Sequence, residues 1–106
     1  MAFHLVRFTR GPAWQPDRAR RDQPGWGEHA AYMDRLAAHG VVVLGGPVGD
    51  CDTGDAVLVV NAFDRAAALA MLSADPWFGS VLTLQKMEPW TIWLRAPATE
   101  EIELAG

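Results

Sequence analysis

Two residues in this chain have side chains that suit proton-transfer chemistry, His29 and Asp75. His29 lies in the middle of the apolar stripe of a predicted helix, on the same side as Met33 and Leu36. Histidine exchanges its proton near neutral pH, so a partly buried histidine can serve as a general acid or base. The alternative is a core histidine that bonds a backbone carbonyl, and the spacing leaves both interpretations open.

Asp75 stands directly after the second predicted helix and directly before Pro76. The end of a helix disfavours an anion, so this carboxylate needs another reason for its position. One reason is to orient an imidazole and fix its tautomer, as the acid member of a catalytic triad does. The other is that Asp-Pro commonly starts a turn. The two residues form an acid/base pair only if the fold brings them together.

The remaining motifs do not indicate a cofactor or a metal. The stretch 45–49 is rich in glycine but has no helix after it, so it is neither a phosphate-binding nor a dinucleotide-binding loop. The acidic turn 50–55 has Asn61 where a calcium-binding loop has its bidentate glutamate. No histidine pair has metal-ligand spacing. We therefore expect no cofactor and no metal.

A basic group occupies the long segment between the first strand and the first helix, Arg10–Gly25. A connection of this length is usually a functional lid or a disordered segment. The arginines at positions 18, 20 and 21 are interpreted as a solvated surface. The alternative is an arginine that closes over an anionic substrate.

Composition limits the class of protein. Half of the 106 residues are hydrophobic and five are tryptophan, which is more apolar material than one small domain buries easily. The net charge is −4 and the nine basic residues form no dense patch, so nucleic acid is not an expected partner. No apolar run reaches the length of a membrane span. The N-terminal stretch does not resemble a signal peptide, and the single cysteine fits a reducing compartment, so a cytoplasmic location is expected.

The elements that must position His29 and Asp75 follow from the apolar patterns. We predict the strand Phe3–Thr9, the helix Trp26–His39, the strands Val41–Leu44 and Ala56–Val60, the helix Arg65–Ser73 with Asp64 as its N-cap, and the extended segment Val81–Leu94 bent at Pro89. The order β-α-β-β-α-β predicts an α+β, ferredoxin-like fold, a four-stranded antiparallel sheet with two helices on one face. We predict one domain over residues 1–95 and a polar C-terminal tail over residues 96–106.

Two of the predicted strands, Val41–Leu44 and Ala56–Val60, are apolar on both sides. Such strands are usually covered on both faces of the sheet. Only two helices are available and they cover one face. The pattern therefore predicts a homodimer in which the sheets of two subunits face each other.

The chain resembles the YCII-domain (YciI-like) family of the dimeric α/β-barrel superfamily over about residues 3 to 94. The resemblance is carried by four short motifs in a fixed order: Glu28-His29-Ala30-Ala31-Tyr32-Met33, Gly46-Pro47, Ala74-Asp75-Pro76-Trp77-Phe78 and Pro89-Trp90. It implies a barrel formed by the sheets of a homodimer. It also implies a small cleft with a His–Asp acid/base pair, which the motifs assign to His29 and Asp75. Many relatives carry a basic residue one turn before the histidine, where this chain has Trp26.

The first functional hypothesis is a small enzyme that transfers protons, by elimination or isomerisation, on an aromatic or enolisable molecule. A few relatives in the family are similar to dehydrochlorinases of hydroxylated aromatic rings, and the wider superfamily includes muconolactone isomerases. His29 is the expected base and Asp75 orients it. The expected substrate-binding residues are Arg7, Trp26, Tyr32, Gly46, Pro47 and Trp77. The second hypothesis is a non-catalytic homodimer that binds a small ligand or assists a partner enzyme. A third is a monooxygenase or haem enzyme with His29 as axial ligand.

Overall fold

Four strands and two α-helices make up the part of the chain that the computed structural model describes, residues 1–97. In chain order they are β1 (Ala2–Arg10), α1 (Trp26–Ala38), β2 (Val42–Pro47), β3 (Ala56–Ala62), α2 (Arg65–Ser73) and β4 (Leu82–Pro89). All neighbouring strands are antiparallel and their order in the sheet is β2-β3-β1-β4. This is an α+β fold, compatible with a ferredoxin-like topology. The predicted polar tail lies outside the described residues from position 98 onward.

The helices begin where the sequence predicts, and α1 ends one residue earlier than predicted, at Ala38 instead of His39. Asp64 caps α2, because its Oδ1 accepts the backbone N–H of Ala67 at 2.8 Å. The predicted bounds of α2 are confirmed. Helix α1 starts after Gly25 and is followed by Gly40, both with positive φ, a conformation that glycine adopts without strain.

The observed bounds differ from the predicted ones in every strand, by one or two residues in β1 and β3 and by more in β2 and β4. Strand β2 does not stop at Leu44 but continues to Pro47, which is possible because β2 is an edge strand and a proline there leaves no ladder bond unmade. Strand β4 ends at Pro89, so the extended segment predicted to reach Leu94 was too long. Residues 90–97 have no regular secondary structure.

Both helices pack on one face of the sheet. Val6 on β1 and Val60 on β3 belong to the same buried cluster as Leu36 of α1 and Leu72 of α2. Because side chains alternate along a strand, the neighbours of these residues point to the opposite face. Val59 illustrates this: it is buried, yet it is not part of the cluster between sheet and helices.

The opposite face of the sheet, here called the open face, has an apolar centre bordered by polar side chains such as Arg7 and Thr9. Its central members are Leu5, Val57 and Val59, which alternate with the residues that face the helices. Neither helix of residues 1–97 packs on it. No helix of the described part is long and apolar enough to cross a membrane.

Candidate functional site

His29 and Asp75 are in direct contact, although 46 positions separate them in the sequence. The imidazole Nδ1 of His29 lies 2.7 Å from the carboxylate Oδ2 of Asp75. The two side chains are 12% and 6% exposed, so bulk water screens the contact poorly. An ionised carboxylate only accepts hydrogen bonds, so this contact requires a proton on Nδ1, and in the neutral ring the lone pair is then on Nε2. This is the tautomer that a general base requires.

The turn after α2 presents Asp75 to the imidazole. The backbone N–H of Asp75 donates to the carbonyl of Leu72 at 3.1 Å, which continues the last turn of the helix. The Oδ1 atom of Asp75 accepts the backbone N–H of Trp77 at 3.1 Å, as in an Asx turn. That bond occupies one carboxylate oxygen and leaves Oδ2 for His29.

Trp77 supports the imidazole from one side. Its indole and the His29 ring are stacked, with centroids 4.1 Å apart and planes inclined by 8°. The indole is 1% exposed and its Nε1 donates to the carbonyl of Pro24 at 2.8 Å. The ring centroid of Trp26 lies 5.7 Å from the centroids of both the imidazole and the Trp77 indole. The imidazole therefore has one ring face on an aromatic surface and one edge on a carboxylate.

A cavity of about 600 Å³ lies between α1 and the β2 side of the sheet, and His29 and Asp75 both line it. Most of its other wall residues are apolar, including Phe8, Trp26, Met33, Val42, Leu58 and Leu82. Gly46 and Pro47 form part of the wall. A concave, mostly apolar space with a few polar groups is the usual form of a small-molecule site.

Three of the residues expected to bind substrate do not line this cavity. The hydroxyl of Tyr32 donates to the carbonyl of Met71 at 2.5 Å, so it links the two helices. Trp77 lies behind the imidazole rather than on the cavity wall. Arg7 lies on the open face because it alternates with Val6 along β1, and its Nε donates to Asp55 at 2.9 Å.

Arg20 is a cavity-wall residue that the sequence did not distinguish from Arg18 and Arg21. The short 3-10 turn Arg20–Asp22 buries Arg20, which is 7% exposed, whereas Arg18 and Arg21 remain exposed. Arg20 lines the cavity together with His29. Its partners are backbone carbonyls of the turn at 51–54, which no sequence pattern around position 20 indicates.

The segment Arg10–Gly25 is a folded loop held by its own side chains. The amide of Gln23 donates to the carbonyls of Gln15 and Arg18, each at 2.8 Å, and accepts the N–H of Gln15. Trp14 is buried. These contacts form a packed wall beside the first turn of α1, which fixes Arg20.

Comparison with known proteins does not assign this chain to a family. No protein-family model matches the chain, and no curated protein matches it.

Proposed function

We propose that this protein is a small cytoplasmic enzyme that transfers protons without a redox cofactor, with His29 as the base and Asp75 as the group that orients it. The reaction is an elimination or an isomerisation of an aromatic or enolisable molecule. The observation that carries the proposal is the 2.7 Å contact between Nδ1 of His29 and Oδ2 of Asp75 at the wall of a cavity. The resemblance to YciI-like proteins supports the same assignment of these two residues.

In the proposed reaction, Nε2 of His29 takes a proton from a carbon beside a carbonyl or hydroxyl group. The electron pair of the broken C–H bond forms a C=C bond. In an elimination this expels a leaving group with its bonding electrons. In an isomerisation the electrons reach another atom of the substrate, which receives the proton back from Nε2. No external oxidant or reductant is needed.

The surroundings of His29 favour the imidazolium that this step creates. The Asp75 carboxylate lies against Nδ1, and a carboxylate in this position stabilises the charged ring. The face of Trp77 adds cation–π attraction, worth about 0.5–2 kcal/mol depending on how far the pair is desolvated. Both interactions strengthen as the proton arrives, which is the condition for catalysis.

We also propose that a second copy of the chain covers the open face, so that two sheets form the barrel expected of the family. The open face is apolar at Leu5, Val57 and Val59, and polar side chains such as Arg7 and Thr9 border this apolar centre. Beside it, Trp93 and Leu94 are 88% and 92% exposed. Exposed large apolar side chains beside a sheet face that no helix covers favour a protein interface. A sheet facing a copy of itself gives the self-complementary contact of a two-fold dimer.

The test of catalysis is the keto–enol tautomerisation of phenylpyruvate, followed by its ultraviolet absorbance. Wild type should accelerate the reaction and His29→Gln should lose that acceleration, because glutamine offers no basic nitrogen. His39→Gln is the matched control: His39 follows the same helix, is exposed, and its side chain bonds the carbonyl of Arg35. Its rate should equal that of wild type.

A His29→Gln variant that folds normally and keeps the wild-type rate would contradict the proposal. So would a wild-type protein that binds phenylpyruvate but leaves its tautomerisation at the buffer rate. That second outcome supports the non-catalytic alternative, a homodimer that binds a small ligand in the same cavity.

A further inference from the structure

Arg20 is a buried cation on the cavity wall that the proposed proton transfer does not use. It is 7% exposed, and its Cζ lies 5.5 Å from the centre of the Trp14 ring. Removing a guanidinium from water is costly unless an anion or several hydrogen bonds compensate for the lost hydration. The position of Arg20 therefore raises the question of what balances its charge.

No carboxylate forms an ion pair with Arg20 within residues 1–97. Burial lowers the pKa of Arg20, and Asp52 and Asp55 oppose this from beyond contact distance. The carboxylate of Asp55 is bound to Arg7 at 2.9 Å. The charge of Arg20 is thus without a contacting anion in the described part of the chain.

The hydrogen bonds of Arg20 occupy one edge of its guanidinium. Nε donates to the carbonyl of Cys51 and Nη2 donates to the carbonyl of Gly54. These two nitrogens form the side edge of the planar group, so the turn at 51–54 takes that edge. Nη1 donates to no residue of the described chain, and the end-on edge formed by Nη1 and Nη2 stays available. An end-on edge of this kind matches the two oxygens of a carboxylate.

The other ionisable groups on the cavity wall do not compete for this role. Asp75 is bound to His29 and to the N–H of Trp77. Asp34 is an exposed residue of α1 and carries the wrong charge to bind an anion. Among the described wall residues, Arg20 is therefore the permanently charged cation that an anion in the cavity can reach, whereas Trp26 offers a neutral N–H and the neutral imidazole of His29 offers a lone pair.

We propose that Arg20 binds the carboxylate of the substrate, and hence that the cavity takes a small carboxylic acid with an aromatic or aliphatic body. This inference rests on the proposed function for the reaction and adds the class of substrate. Apolar wall residues such as Phe8 and Leu58 contact the apolar part of the substrate, while the ion pair between Arg20 and the carboxylate fixes its charged end. A molecule held in this way stays in the cavity that His29 lines, which is what positioning requires.

The experiment compares benzoate with benzamide, which has nearly the same shape but no charge. Each is titrated into ¹⁵N-labelled protein at constant ionic strength, with the imidazole signals of His29 as the reporter. Wild type should bind benzoate roughly tenfold or more tightly than benzamide, the margin expected of a charge-assisted bidentate contact. Arg20→Gln should lose this preference. Arg18→Gln, in the same loop but exposed, should keep it.

Two further variants keep the outcome decisive. Arg20→Lys retains the charge but not the fork, so it should keep part of the preference even if Arg20→Gln weakens the turn at 51–54. His29→Gln, read on backbone signals of α1, should keep the preference, because the anion is held by Arg20 and not by the imidazole.

Equal binding of benzoate and benzamide to wild type would overturn the assignment of Arg20. So would a preference that Arg18→Gln removes as fully as Arg20→Gln, or one that disappears in His29→Gln. These results leave the tautomerisation test of His29 unaffected. Conversely, a failed tautomerisation test with an intact benzoate preference would overturn the catalytic proposal alone.

Discussion

Trp77 holds both members of the His29–Asp75 pair. Its indole stacks on the imidazole of His29 at 4.1 Å, and its backbone N–H donates to Oδ1 of Asp75 at 3.1 Å. Its Nε1 anchors the same ring to the carbonyl of Pro24, just before α1. One residue therefore ties the end of α2 to the start of α1, which is where the two functional side chains arise.

Replacing this indole should cost both stability and activity. Trp77→Phe keeps an aromatic face but loses the bond to Pro24 and some buried volume, so we expect about 2 kcal/mol less stability in urea unfolding. Trp77→Leu also loses the stacked face, and its tautomerase rate should fall further than its stability explains. Trp90→Phe, at a half-exposed position, should leave both quantities unchanged. Equal rates in folded Trp77→Leu and wild type would show that the stacking does not position His29.

Asp75→Asn should reverse the tautomer of His29. The N–H of Trp77 needs an acceptor, so the amide oxygen should take the place of Oδ1 and turn the amide NH₂ toward His29. Nδ1 must then accept, which puts the ring proton on Nε2 and removes the lone pair from the cavity. We expect a roughly 10²- to 10⁴-fold loss of rate, as in triads altered in this way.

The measurement for Asp75→Asn is the ¹⁵N chemical shift of the two ring nitrogens, which distinguishes the tautomers directly. Wild type should show the proton on Nδ1 and the variant should show it on Nε2. A neutral wild-type imidazole protonated on Nε2 would contradict the assignment of His29 as the base.

Much of the fold was predictable because local signals and tertiary packing agree. The cap at Asp64 and the proline at position 76 bound α2, and both act within a few residues of the chain. The bounds of β2 and β4 were less predictable, since the end of a strand depends on which neighbour it pairs with. Pro47 lies at an edge where a missing N–H is harmless, and nothing near it in the sequence reveals that edge.

The site was predictable only in part, for the same reason. His29 and Asp75 could be selected by residue type, position and family resemblance, but their contact spans 46 positions. Arg20 could not be told from Arg18 and Arg21, because its burial depends on carbonyls 31 and 34 positions away. Tyr32 has the right type for a binding residue, yet the packing of α1 on α2 directs its hydroxyl to Met71.

The turn that holds Arg20 should weaken in acid through Asp50. The backbone N–H groups of Asp52 and Thr53 donate to the Asp50 carboxylate and lower its pKa below the usual 3.8. A lowered pKa means that the carboxylate stabilises the folded state above pH 3.8, and that this is lost as the pH falls through the lower folded value. The stability difference between wild type and Asp50→Ala should therefore shrink on acidification. Urea unfolding at about pH 6 and about pH 3 measures it, and a difference that stays constant would contradict this role of Asp50.

Val57→Glu should separate the proposed dimer while leaving the subunit folded. Val57 lies on the open face directly opposite Arg7, so a glutamate there gains a cross-strand partner of opposite charge. In a sheet-to-sheet dimer the same carboxylate must lose its water, which should raise the dissociation constant by at least roughly thirtyfold. Sedimentation velocity at micromolar concentration measures the change. Met71→Glu, at an exposed position on α2, is the control and should remain dimeric. A wild-type chain that sediments as a monomer at that concentration would contradict the proposed interface.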